Sequence, residues 1–197
     1  NSPSILRRLA QQHSALIVIT QANAGHGPAI LNGYAQALAF GCEYVFQVDS
    51  DGETPAALFP QLWTARHTAP FLLGRRTGRR SHPLRLALST IHRRMLSALF
   101  GVDLHDPNIP FRLMRAPELA ALLAELPPGL FAPNVFLSLL AARRHWLAAG
   151  PDVPLASRAG GIPSIRGWRT FQLAVRCTSE LLRFRRHTWR CLPPYRP

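Results

Sequence analysis

Lysine is absent from this 197-residue sequence, so all 23 basic residues are arginines; with only 10 acidic residues the formal net charge is +13. A total lack of lysine reflects biased codon usage first. The arginine excess therefore does not by itself single out nucleic acid, anionic lipid or a phosphorylated substrate, although such a charge attracts all three. Cysteine is scarce as well. Cys42, Cys177 and Cys191 are odd in number, widely spaced and without a CxxC pair, which argues against a disulfide framework and a cysteine-ligated zinc cluster and fits a reducing cytosol. Long apolar runs are missing too: residues 119–142, the most apolar stretch, are interrupted by Glu125, Pro127, Pro128, Gly129 and Asn134, so no spanning helix is expected. The opening Asn1-Ser2-Pro3 has neither an initiating methionine nor a charged-then-apolar leader, and the expectation is an amino-terminal truncation.

What is present is a hydrophobic content of 47%, enough for one substantial core. Ser2 and Pro3 suit the start of a helix that ends near His13, and residues 15–20 read as a short strand. A loop, Asn23-Ala24-Gly25-His26-Gly27-Pro28, precedes a helix over 29–40 that Gly41 ends. Residues 44–48 form a strand, Thr54-Pro55 opens a helix to about His67, and residues 71–74 form a third strand. Alternating strands and helices, with strands apolar on both faces, predict an α/β fold with a mostly parallel sheet between helices. Further on, the pattern predicts a helix over 83–100, a strand over 111–115, helices near 117–126 and 133–145, an edge strand around 153–155 and a final helix over 168–186. The expected division is a main domain over 1–167 and a basic amphipathic helix and tail over 168–197.

The chemistry concentrates where the strand over 44–48 runs into Asp49-Ser50-Asp51-Gly52-Glu53. Side chains at i and i+2 of a strand share a face roughly 7 Å apart, so Asp49 and Asp51 converge only if the turn at Gly52 helps. Carboxylates at the carboxyl end of a strand, where open α/β sheets bind ligands, suit Mg²⁺ or Mn²⁺ with phosphates and water completing the shell. Gly25 and Gly27 would let backbone N–H groups approach a phosphate at a helix start, although a plain turn explains them equally well. His26 reads as an exposed loop histidine, and His92, His105 and His145 share no metal spacing.

The order of these motifs resembles family-2 inverting glycosyltransferases of the GT-A fold, particularly the dolichol-phosphate mannosyltransferase-like branch, over roughly residues 1–170. Gly25, Gly27 and the helix to Gly41 precede Val48-Asp49-Ser50-Asp51-Gly52-Glu53-Thr54-Pro55, as a glycine loop and Ala-rich helix precede the Asp-x-Asp element there. Gly74-Arg75-Arg76 looks like the family's Gly-x-Arg strand end. Asp106 and Phe111-Arg112 look like its Asp followed by Phe-Arg, and the segment from Arg158 to Ser164 resembles its closing Arg-x-x-Gly-x-Ser, with one extra residue. The family's first strand with its Pro-x-x-Asn-Glu loop, and the next with its Asp-Gly-Ser segment, have no counterpart.

The resemblance implies a metal-dependent transferase moving a hexose from a nucleotide sugar to a polyprenyl phosphate, with Mg²⁺ or Mn²⁺ held by Asp49, Asp51 and Glu53. It implies phosphate contacts from Arg76, Arg112 and Arg158, with Gly25, Gly27, Asp49 and Ser164 also on the donor. Asp106 stands as a base, an acceptor positioner or a loop cap. A peripheral position at the inner face of the membrane follows from such an acceptor, and the arginine-rich helix over 168–186 reads either as the contact or as an ordinary core-packing helix with a basic outer face. Nucleic acid is not an expected partner: a basic binding module is the competing class, and it leaves the cluster from Asp49 to Glu53 unexplained. A transferase with a sugar hydroxyl acceptor and a non-catalytic remnant also compete.

Overall fold

The structure, a computed structural model, describes residues 2–77, 83–154 and 168–191. Helix α1 (Ser2–Gln12) and helix α2 (His26–Ala39) precede strand β1 (Tyr44–Gln47). A 3-10 turn (Ala56–Leu58) leads into helix α3 (Phe59–Thr64) and strand β2 (Phe71–Thr77). Helix α4 (Pro83–Phe100), strand β3 (Arg112–Arg115), helices α5 (Ala116–Leu123) and α6 (Pro133–Arg143), strand β4 (Leu147–Pro154) and helix α7 (Trp168–His187) complete the order. No helix among the described residues is long and apolar enough to cross a membrane.

The four strands form one sheet in the order β1-β3-β2-β4. β3 is antiparallel to both β1 and β2, whereas β2 and β4 are parallel. Three strands therefore share one direction and β3 alone opposes them. This single reversal positions the site: β1 and β2 leave the sheet at the edge where β3 enters it. Arg112 sits opposite Gln47 on one side and Leu73 on the other, so the chain after β1, the end of β2 and the loop before β3 meet at one rim.

Period-two alternation gives the sheet two apolar faces. Val45, Met114 and Phe71 point into a core completed by Tyr34 of α2, Leu96 and Phe100 of α4, most of α6, and Leu181 and Phe184 of α7. Leu113, Leu72 and Val153 point the other way, with Leu62 of α3, Ile109 and Phe111. Aromatic edges tie the second face together, Phe46 lying 5.1 Å from Phe111 at 85°, a geometry favoured by the ring quadrupoles.

Three expectations change. Residues 15–20 form no strand: Leu16, Ile17 and Ile19 are 36%, 55% and 43% exposed, and a β-rich pattern becomes a strand only against a hydrogen-bonding neighbour. The helix expected from Thr54 to His67 is confined to the 3-10 turn and α3, since Pro55 stays extended at ψ 112°. β4 begins at Leu147 rather than near Val153, and Gly150 and Pro151 had masked its pattern. Gly150 is required there, because a Cβ would lie 2.6 Å from Leu62 Cδ2 and 3.1 Å from the Leu73 carbonyl oxygen.

Candidate active site

Asp49 follows β1 by two residues and lies half-buried at the rim. Burial raises its carboxyl above the ordinary range; His26 opposes the rise, Asp51 adds to it, and Arg76 and a hydrogen bond with Gln47 oppose it. His26, Asp51 and Arg76 thus lie within electrostatic reach of Asp49, although they come from the start of α2, the turn after β1 and the end of β2.

Gln47 links Asp49 to the core. Its Oε1 accepts from Asn134 Nδ2 at 3.0 Å and contacts the Tyr34 hydroxyl, which also meets Asn134 Oδ1 at 2.8 Å. Tyr34 on α2 and Asn134 on α6 are both buried, so the amide beneath Asp49 is fixed from two helices. Burial pushes the Tyr34 phenol up to about 12; Arg112 pulls it down and Asp49 adds to the rise. The fold keeps this proton more tightly than the unfolded chain, so its contribution to stability is intact below about pH 10 and is lost as pH climbs toward about 12. Urea unfolding of Tyr34→Phe is expected to lack about 1 kcal/mol of the loss that wild type shows between about pH 9 and about pH 11. An equal loss in both proteins would mean that the phenol is not held in this way.

Arg76, at the end of β2, approaches Asp106, with Nη1 3.3 Å from Oδ2 and side chains 19% and 22% exposed. Its Nε is buried and has no hydrogen-bond partner among the described residues. A buried guanidinium N–H without an acceptor is costly and calls for an anionic oxygen. His92 of α4 also senses Asp106: burial pushes its pKa down and Asp106 opposes that shift.

Arg112 was expected at a phosphate, and in the structure its donors are turned to the protein's own acceptors. Its side chain is wholly buried. Nε donates to the Ile109 carbonyl at 2.9 Å, Nη2 to the carbonyls of Ile109 and Pro107 at 2.7 and 3.0 Å, and Nη1 to Asn134 O at 3.3 Å and Ser138 Oγ at 3.5 Å. Burial lowers its pKa, while Tyr34, Asp106 and Asp49 pull it back up and Arg76 opposes them. Arg112 therefore organises the loop over 106–111 that carries Asp106, and it acts on any ligand only through that loop.

The carboxylate triplet is also corrected. No three His, Cys, Asp or Glu side chains among the described residues gather as a set able to hold a metal ion. Gly52 has φ +76° and the Glu53 N–H donates to Asp51 Oδ1 at 3.0 Å, a turn that bonds Asp51 to the backbone instead of drawing all three carboxylates to one point. Asp49 and Asp51 still suit a divalent ion that keeps one or two carboxylates and takes its other oxygens from phosphates and water.

The glycines divide. Gly25 has φ +100°, and its N–H donates to Asn23 Oδ1 at 3.1 Å. Gly27 is small for packing, since a Cβ would collide with the carbonyl oxygens of Leu130 and Phe131. Arg158 and Ser164 lie outside the described residues. His26 and His92 are neighbours that the sequence did not reveal, because their contacts with Asp49 and Asp106 cross between elements.

No family model matches the sequence, and comparison with curated proteins gives no match. Among solved structures the chain is similar to glucosyl-3-phosphoglycerate synthase from Mycobacterium tuberculosis in complex with Mn²⁺, UDP-glucose and phosphoglyceric acid. The TM-score is 0.55 at 20% identity, over 83% of this chain and 56% of that one. The UDP complex of the same synthase gives 0.54 at 20% identity, over 83% and 57%. The fold is GT-A-like. This chain spans little more than half the length of the synthase.

Proposed function

We propose that this chain carries the diphosphate-binding rim of a metal-dependent, inverting glycosyltransferase that moves a hexose from a nucleotide sugar to a polyprenyl phosphate at a membrane surface. The observation that carries the reading is the orphaned Arg76 Nε beside Asp49, at the rim where three chain segments converge. The likeness to a synthase solved with Mn²⁺ and UDP-glucose supports it.

Leaving-group departure places negative charge on a diphosphate that is already anionic. Asp49 and Asp51 would hold Mg²⁺ or Mn²⁺, which when bound supplies Lewis-acid stabilisation of the diphosphate oxygens worth several kcal/mol. Arg76 offers its free Nε–H to the same oxygens as a charge-assisted donor. Tyr34 and Asn134 fix Gln47, and Gln47 steadies Asp49. Arg112 holds Asp106 facing the rim.

The geometry favours an acceptor that needs no strong base. Asp106 Oδ2 faces Arg76 at 3.3 Å, so one carboxylate oxygen is turned to a cation rather than free for a hydroxyl proton. A phosphate oxygen is already ionised near neutral pH and attacks without losing a proton. A second reading, a small hydroxyl acceptor, is favoured by the phosphoglyceric acid in the related synthase complex.

Asp106→Asn separates the two. With Mn²⁺, UDP-glucose and a polyprenyl phosphate, wild type is expected to form a lipid-extractable glucosyl product, and the variant to retain about a tenth of that rate or more. Loss of a general base would instead cost about 10²–10⁴-fold; a loss of that size, with wild type forming product from a sugar hydroxyl acceptor and none from the polyprenyl phosphate, would replace the phosphate acceptor with a hydroxyl.

A further inference from the structure

A cavity of about 490 Å³ lies apart from the rim, between α7 and the 127–130 loop. Its size falls within the range of small-molecule sites, about 300–1,000 Å³. Pro127, Pro128, Leu130 and Phe184 give it apolar walls, and Arg176, Glu180, Arg183 and His187 give it a polar side. The polar residues follow one another at steps of three or four along α7, so one helical stripe faces the loop.

The charges on this stripe are not equivalent. Glu180 is fully engaged: Oε1 accepts from Arg176 Nε at 2.9 Å and Oε2 from the Phe131 N–H at 3.0 Å. Arg176 also donates Nη2 to the Gly129 carbonyl at 3.1 Å and lies over the Phe131 ring at 5.5 Å. Arg176 and Glu180 thus form an internally neutral clasp that fastens α7 to the loop and shapes the cavity. Among the described residues, Arg183 is left as the unneutralised guanidinium of the lining, with the His187 ring one turn further on.

We propose that this cavity is a second ligand site, for a phosphate monoester carried on a short apolar body. The guanidinium N–H groups of Arg183 and a ring N–H on His187 match the several acceptor oxygens of a phosphate. The proline, leucine and phenylalanine walls take the apolar portion. The site is independent of the proposed glycosyl transfer, because none of its lining residues belongs to the rim around Asp49, Arg76 and Asp106. Two sources present this chemistry: a soluble alkyl phosphate and a phosphatidic-acid headgroup.

Calorimetric titration with hexyl phosphate and with inorganic phosphate tests the proposal. Hexyl phosphate is expected to bind one per chain and about 10-fold or more tighter than inorganic phosphate, from burial of its methylenes. Arg183→Ala is expected to weaken it about 10-fold or more, the loss typical of a charge-assisted hydrogen bond. Arg186→Ala removes the same charge from the same exposed helix outside the cavity lining and is expected to change nothing. Ser179→Phe, which fills the cavity, should abolish binding while thermal melting confirms that the fold is kept. Vesicles containing phosphatidic acid form the second arm: capture that Ser179→Phe abolishes makes a lipid the physiological source. Equal weakening by Arg183→Ala and Arg186→Ala, or capture by vesicles without binding of hexyl phosphate, would overturn the proposal in favour of a diffuse basic surface.

Discussion

Arg112→Met is expected to lower the melting temperature by about 10 °C or more, one of the largest effects available to a single substitution here. Methionine matches much of the arginine's apolar length but donates nothing. The Ile109 carbonyl would lose its guanidinium donors in a closed interior, and the Pro107 carbonyl would keep only the Ser138 hydroxyl. Each buried acceptor left without a partner costs about 1–3 kcal/mol. Hydrogen bonds to a charged group contribute about 1.5–3 kcal/mol each, and about 2–4 °C is lost per kcal/mol in a chain of this size. The loop carrying Asp106 would loosen first, so protection from hydrogen exchange should fall over 106–111 before the sheet is affected. A melting temperature within about 2 °C of wild type would show that Arg112 is not the loop's anchor.

Arg76→Ala is expected to slow hexose transfer by about 10²–10³-fold, the range seen when one preorganised donor to developing negative charge is removed, with little change in melting temperature. The contrast with Arg112 is physical. Arg112 spends its donors on the protein's own carbonyls, whereas Arg76 keeps Nε buried and without an acceptor among the described residues and so carries a cost that a ligand would relieve. Arg76→Lys retains the charge but not the planar fork, and should recover only part of the rate. Transfer by Arg76→Ala within about threefold of wild type would remove Arg76 from the site.

Local pattern was enough to read the α/β class and the position of Asp49, because an apolar run that stops at a carboxylate-rich turn is a short-range signal. The strand after Asp106 was legible from its local pattern, and Asp106 itself only through the motif order. Arg112 was legible as a motif but not as a role. Its acceptors Asn134 and Ser138 come from 22 and 26 residues downstream, and only packing α6 against the sheet makes the guanidinium buried. The strand expected over 15–20 had the right apolar, β-branched run, but strand formation also needs a neighbouring backbone, which no local pattern encodes. Asp49, Asp51 and Glu53 were legible as a carboxylate-rich turn, but the bond from the Glu53 N–H to Asp51 Oδ1 that shapes it was not. The orphaned Arg76 Nε, and the reach of His26 to Asp49 and of His92 to Asp106, depend on segments far apart in sequence.

In the proposed function, Asp49, Asp51 and Arg76 together hold a divalent ion against a diphosphate. Calorimetric titration of the chain with UDP, with and without Mn²⁺, tests it most directly. Saturable heat that requires Mn²⁺, and that weakens about 10-fold or more when Asp49 is replaced by asparagine, is the predicted result. Heat that is the same without the metal, or unchanged in Asp49→Asn, would contradict it.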